Sequence, residues 1–137
     1  MTPISVSGIA HRSGSYFVAL RKPGTSIGEC WEFPGGKCEE GEDPPDALKR
    51  EFLEEFDLPV SVGREIHRGS FSNGKQTYRQ IAYEVEFLIE RYTLHEHQKA
   101  FWATLEELEK LSMADSDRLI LETLRSLCLE GESRSSV

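Results

Sequence analysis

Glu51, Glu54 and Glu55 carry the strongest chemical signal in this 137-residue chain. In an α-helix, positions i, i+3 and i+4 share a face, so these three side chains stack into one carboxylate patch. Leu48, Phe52, Leu53 and Phe56 form the adjoining apolar stripe, which must face a core. Like-charged helix neighbours repel by roughly 0.2–0.5 kcal/mol per pair, and a divalent cation reverses that sign. Oxygen ligands without Cys or His partners suit magnesium or manganese, and magnesium keeps several waters while bridging to substrate phosphates. By charge alone, an acidic helix face is more often simply solvated. Arg50 does not share the face of Glu51. It can reach Glu54 at i+4, or Glu42 on the preceding loop, and hold a carboxylate through two parallel hydrogen bonds.

The elements that must position this patch follow from local pattern. Trp31-Glu32-Phe33 alternates like a short strand, and Pro34-Gly35-Gly36 breaks it. The two glycines let the backbone approach a ligand closely and can present a carbonyl to a metal. Asp43 is placed to cap a helix over about 44–57, with Pro44 at its first position. Asp57 is tolerable at the helix end because Asp visits the left-handed region more readily than most residues, and Pro59 stops the helix. Upstream, 4–12 and 15–22 read as a hairpin around Ser13-Gly14, and 23–26 as a loop. Downstream, strands near 60–71 and 76–90 are joined at Asn73-Gly74. Thr104-Leu105-Glu106-Glu107 is a capping box for a short helix to about Leu111, and Ser116 caps a last helix carrying Leu119, Ile120, Leu124, Leu127 and Cys128. His95-Glu96-His97 reads as a solvated polar loop without a third zinc ligand. Strands interleaved with two main helices predict an α/β fold with a mixed sheet between helical layers. A single domain spans 1–130, followed by a polar, frayed tail at 131–137.

Composition narrows the class. The formal charge of −8 and pI near 5.0 argue against electrostatic binding to a nucleic-acid polymer. An acidic protein still holds nucleotides when a metal ion offsets the phosphate charge. No basic leader and no 18-residue apolar run occurs, so the expectation is a cytoplasmic chain without a membrane partner, monomeric or homodimeric. Cys30, Cys38 and Cys128 are odd in number and lack CxxC spacing, which predicts neither a disulfide framework nor a zinc site.

Written out, GKCEEGEDPPDALKREFLEEFDL resembles the Nudix box at Gly36, Glu42, Arg50, Glu51, Phe52, Glu54, Glu55 and Leu58. Asp57 departs, standing where that family has glycine. WEFPGGK, Arg21, Glu96-His97 and Trp102…Glu106-Glu107-Leu108 extend the resemblance, over roughly 4–128, to the MutT-type branch. That resemblance implies an α/β/α sandwich and hydrolysis of nucleoside triphosphates to the monophosphate and pyrophosphate, on substrates such as oxidised dGTP or CTP. It implies a magnesium site, with manganese as the alternative, built from the Gly35 carbonyl, Glu51, Glu54, Glu55 and Glu96. Glu51 or Glu96 would act on the attacking water, with Arg50 and Glu42 supporting catalysis. Arg21, Lys37 and Phe33 would contact the nucleotide. A polar residue before the last helix would read the base, and Asp115 is chosen because a carboxylate accepts from an exocyclic amine; the bland role for Asp115 and Asp117 is helix capping. Two other readings remain in view. One is a Nudix hydrolase of a dinucleotide or sugar nucleotide. The other is a non-catalytic nucleotide-binding module, against which the full set of box carboxylates argues.

Overall fold

Strand β3 (Ser15–Arg21) buries Tyr16, Phe17, Val18 and Ala19 in succession, because it is covered on both faces. Phe17 and Ala19 join one core, and Tyr16 and Val18 join another. A run without polar alternation is what such a doubly covered strand requires. The computed structural model describes residues 2–23 and 29–135, with side chains through 128. Around β3 stand β1 (Ile4–Ile9), β2 (His11–Arg12), β4 (Trp31–Glu32), β5 (Gly35–Lys37), α1 (Pro44–Phe56), β6 (Val60–Asn73), β7 (Gln76–Phe87), β8 (His97–Thr104), α2 (Leu105–Lys110) and α3 (Asp115–Ser135).

Among the described residues the strands form two four-stranded sheets. One has the order β5-β1-β7-β6, with β1 and β7 parallel; the other joins β2, β3 and β4, with β8 also on β3. Helix α1 covers one side through Ala47, Leu48, Phe52 and Phe56, while α2 and α3 cover the other through Leu108, Ile120, Leu121 and Leu124. This is the α/β/α arrangement. Phe17 ties the first core together, its ring edge-on to Phe56, Phe87, Tyr92 and Trp102 at centroid distances of 5.0–5.5 Å. Phe17 and Phe56, fully buried, each contribute roughly 1.5–3 kcal/mol by burial. At Gly8 the backbone lies against α1: a Cβ there would sit 2.5 Å from the Phe52 ring.

Several expectations are corrected. The strand expected at 4–12 is broken at Ala10. Residues 4–9 enter one sheet, and only His11 and Arg12 pair with β3. Residues 97–104 form β8, antiparallel to β3 along its whole length, so that His97, expected in a polar loop, begins a strand. The β6–β7 loop is Gly74-Lys75, since Asn73 still pairs with Gln76. Asp43 stands at the start of α1, but its side chain makes no capping bond. Ser116 does not cap α3, which begins one residue earlier, with Asp117 N–H and Arg118 N–H bonded to Ala114 O. The α3 backbone continues to Ser135, through most of the expected tail. The expected loop at 23–26 lies, apart from Pro23, outside the described residues.

Two local expectations hold. The Thr104–Glu107 capping box is made in both directions, at 3.2 and 3.0 Å. Asp57 closes α1 in the left-handed region at φ 58°, with Asp57 N–H on Leu53 O and Leu58 N–H on Phe52 O. Its carboxylate also meets His95 Nε2 at 2.8 Å. Asp57→Gly therefore removes about 1–2 kcal/mol of left-handed strain and gives up an exposed pair worth at most about 1 kcal/mol. The expected outcome is a thermal midpoint equal to or slightly above wild type and turnover within about twofold. A clear loss of turnover in steady-state assays would give Asp57 a part in the chemistry.

Candidate active site

Glycine and glutamate meet first. A Cβ on Gly36 would fall 2.4 Å from the Glu51 carboxyl carbon, and one on Gly35 would fall 1.9 Å from Val6 O. Only residues without side chains let β5 lie this close to both α1 and β1. Glu51 is consequently half-buried. On its other side, Arg50 gathers the acidic residues. Its Nε and one terminal nitrogen clasp Glu42, each at 2.9 Å; the other terminal nitrogen reaches Glu51 at 2.9 Å and Glu54 at 3.2 Å. The remaining donor goes to Lys37 O at 3.1 Å. Arg50 thus reaches both partners expected of it, and Glu51 as well. Arg50 and the Glu39 N–H bond hold Glu42 down at about 2, well below the usual carboxylate range.

A cavity of about 220 Å³ opens beside this cluster, lined by Arg21, Lys22, Glu32, Gly35, Glu51, Glu54, Glu55, Glu96 and His97. Glu96 comes from the segment after β7, which is anchored to the end of α1: Thr93 N–H bonds Phe56 O and His95 N–H bonds Glu55 O, at 2.9 and 3.1 Å. The carbonyls left free at a helix C-terminus thus place the fourth carboxylate. The expected Gly35, Glu51, Glu54, Glu55 and Glu96 are brought together here.

The site contains residues not expected from sequence. Glu32 accepts from Arg21 Nε at 2.5 Å and stands 2.8 Å from His97 Nε2. His97 is buried, stacked on Phe56, and 3.8 Å from Glu55. This corrects the solvated-loop expectation. Ligand atoms of Glu32, Glu55 and His97 lie within 4.8 Å of one another. The available signal was the Trp31-Glu32-Phe33 alternation, which sets Glu32 opposite two aromatics.

Glu55 provides the test of whether a cation fits. Its Oε2 is buried without a hydrogen-bond partner. Burial, then Glu32, Glu51 and Glu96, push its carboxyl up to about 10. Burial likewise raises Glu51, against the pull of Arg50. Protein groups alone leave this oxygen-rich cluster short of positive charge, which a hard divalent cation would supply. The residues fit.

A second cavity of about 230 Å³ shares Arg21, Glu32 and Gly35 with the first and continues past Lys37 to Tyr78, Gln80, Ser116 and Asp117. Lys37 Nζ lies 4.8 Å from the Tyr78 ring centre, and Phe71 stacks on Tyr78 at 5.2 Å. Phe33 is buried, its side chain in the second core and its N–H donating to Asp117 Oδ1 at 3.0 Å. Asp115, chosen from sequence, is exposed and does not line this cavity. The first turn of α3 turns Asp117 inward instead. Burial first, then Glu32, push the Asp117 carboxyl up to about 8, opposed by the Phe33 N–H and Arg21.

Clustered carboxylates at one end, cations at the junction and a pocket beyond suit the hydrolysis of phosphoanhydrides. The chain belongs to the Nudix family: the family profile for the NUDIX domain matches residues 1–124. It is therefore a Nudix pyrophosphohydrolase, of a family whose members use a divalent metal. A CTP pyrophosphohydrolase of Escherichia coli is 30% identical over 122 residues, 89% of this chain and 90% of that protein. An 8-oxo-dGTP diphosphatase of Haemophilus influenzae is 31% identical over 102 residues, 74% of this chain and 74% of that protein. The solution structure of the E. coli ORF135 protein superposes with a TM-score of 0.81 at 30% identity, over 92% of this chain and 90% of that one. A MutT protein from Methanosarcina mazei Go1 shares the fold, at 0.81 and 19% identity over 95% of each chain. No described helix is long and apolar enough to cross a membrane.

Two outcomes test this geometry. Arg50→Lys keeps the charge but loses the planar fork, so turnover should fall at least about tenfold, the weight of one charged hydrogen bond, with the fold retained by circular dichroism. Wild-type kinetics would reduce Arg50 to a surface cation. Asp117, with its folded-state value raised, binds more proton when folded than when unfolded between about pH 4 and pH 8, so its contribution to stability falls as pH rises through that window. Asp117→Asn should lose less of its thermal midpoint than wild type between about pH 5 and pH 9. Parallel profiles for the two proteins would place Asp117 in an ordinary solvated state.

Proposed function

We propose that this enzyme hydrolyses nucleoside triphosphates to the monophosphate and pyrophosphate with magnesium, manganese serving as the alternative ion. The observation that supports it is the sharing of Arg21 by two adjoining cavities, one lined by carboxylates and one by aromatic and polar groups. The phosphates lie at the junction, against Arg21, Lys22 and Lys37, and the base enters the second cavity. Glu51, Glu54, Glu55, Glu96 and the Gly35 carbonyl hold the metal. When bound, the ion offsets phosphate charge and makes a coordinated water more acidic.

The remaining work belongs to the chain. Glu51, raised by burial and oriented by Arg50, takes the proton from the attacking water. Arg50 and Glu42 keep that carboxylate in place, and Arg21, oriented by Glu32, supports the phosphate charge. The water oxygen bonds to one phosphorus of the α–β bridge as the bond from that phosphorus to the bridging oxygen breaks, releasing the monophosphate and pyrophosphate. In the second cavity, Asp117 offers a protonated carboxyl near neutrality. Such a group donates and accepts side by side, which matches the N3 and amine edge of cytosine. The CTP pyrophosphohydrolase relative supports that base class, and oxidised dGTP is the second candidate.

A screen of pyrophosphate release over normal and oxidised nucleoside triphosphates, nucleotide sugars and dinucleotides tests the reading, with CTP-type substrates expected to lead. Preference for a nucleotide sugar or dinucleotide would overturn it. Glu54→Gln and Glu55→Gln each remove one ligand and its charge. Turnover should fall by about 10²-fold or more, the range of lost charge stabilisation, while folding is kept. Near wild-type turnover in both would refute the metal assignment.

A further inference from the structure

Away from the carboxylates, hydrogen bonds run from the middle of α3 through β6 and β7 and back to the first turn of α3. His67 Nδ1 lies 2.7 Å from Thr123 Oγ1, and His67 Nε2 lies 3.1 Å from Gln80 Oε1. Gln80 Nε2 donates to Ser116 O at 2.8 Å. Ser116 and Thr123 are two helical turns apart on one face, so a single polar bridge grips α3 at two points.

Strand register makes the bridge possible. His67 pairs with Ala82 and Gly69 with Gln80, so His67 and Gln80 share a face of the sheet. Two irregularities in β6, between Val62 and His67, re-aim the histidine toward α3. Gly69 has no side chain to stand between ring and amide; a Cβ there would already touch the ring at 3.4 Å.

Donor and acceptor roles then fix the arrangement. Ser116 O only accepts, so Gln80 turns its NH₂ there and its Oε1 to the ring. That oxygen requires a proton on His67 Nε2, whichever state Nδ1 adopts. Gln80 is 2% exposed, so breaking the bridge leaves a buried amide short of a partner, which makes the alternative costly.

We propose that His67, acting through Gln80, is a positioning residue for nucleotide selection: it locks α3 in register so that Asp117, next to Ser116, stands correctly in the second cavity. The inference rests on the assignment of that cavity to the base. His67 does not line the cavity and touches none of the α1 carboxylates, so it acts on binding rather than on the chemical step. The Phe33 N–H, bonded to Asp117 Oδ1, reports the seat of Asp117 without any nucleotide.

The test uses His67→Phe, which keeps a ring and removes both bonds, with the milder Thr123→Val as a second variant. Expected for His67→Phe is a KM for the preferred nucleotide raised about tenfold, the weight of one net hydrogen bond. Turnover should change less than about twofold, magnesium affinity by calorimetry should hold, and Phe33 amide exchange by NMR should speed up about tenfold. Thr123→Val should show the same pattern in smaller measure. Asp117→Asn, assayed on the same nucleotides, separates the two ideas. If it leaves nucleotide preference untouched, the cavity assignment fails and the selection role fails with it. If it shifts preference while His67→Phe keeps wild-type KM values and Phe33 exchange, the positioning role is overturned and the cavity assignment stands. An equal loss of turnover on every nucleotide in His67→Phe also overturns it, because that is the signature of general structural damage.

Discussion

The acidic end of this molecule depends on one guanidinium. Arg50 answers Glu42 with two hydrogen bonds, Glu51 and Glu54 with one each, and the Lys37 carbonyl with another. Only a planar, permanently charged group with five fixed donors can serve four partners at once. It joins the loop before α1, strand β5 and two turns of α1, holding together carboxylates that otherwise repel. Glycine at positions 35 and 36 is the matching constraint, since any side chain there would collide with Val6 O or the Glu51 carboxylate. Charge gathering and backbone proximity are two halves of one arrangement.

Beyond Arg50, the site holds charge at a cost. Glu55 is buried with an unpartnered oxygen, and Glu32 is divided between Arg21 and His97. An all-protein solution would pair or remove such groups. Strongly perturbed acids in a cleft cluster at functional sites. Asp117 is perturbed in the same direction, again by burial first. It lines the second cavity, with the Phe33 N–H donating to its Oδ1. One fold thus perturbs two acids by burial, one among the α1 carboxylates and one in the second cavity.

The scaffold places these groups through strands that end where the chemistry begins. An irregular register between Leu20 and Arg21 brings Arg21 opposite His97, joining the cation of one strand to the imidazole of its neighbour. The loop carrying Glu96 hangs from the last carbonyls of α1, so the helix that supplies three carboxylates also positions the fourth. Coupling of this kind ties the loop carrying Glu96 to the helix that carries the other carboxylates.

What the sequence determined alone was local. The α1 face, its left-handed stop at Asp57, the capping box at Thr104 and the β6–β7 turn region depend on residues within a few positions of each other, and period and cap chemistry report those directly. Tertiary structure decided the rest. Residues 97–104 become a strand because β3 offers them a partner some eighty residues away, and Phe101 and Trp102 run together because both faces are covered. His97 is buried because Phe56 and Glu32 meet there, Ala10 divides β1 from β2 because two sheets claim the chain on either side, and Asp117 rather than Asp115 faces the cavity because α3 begins at Asp115 and turns its buried face to Phe33. Each of these depends on what a segment packs against, and that is set by contacts between distant parts of the chain.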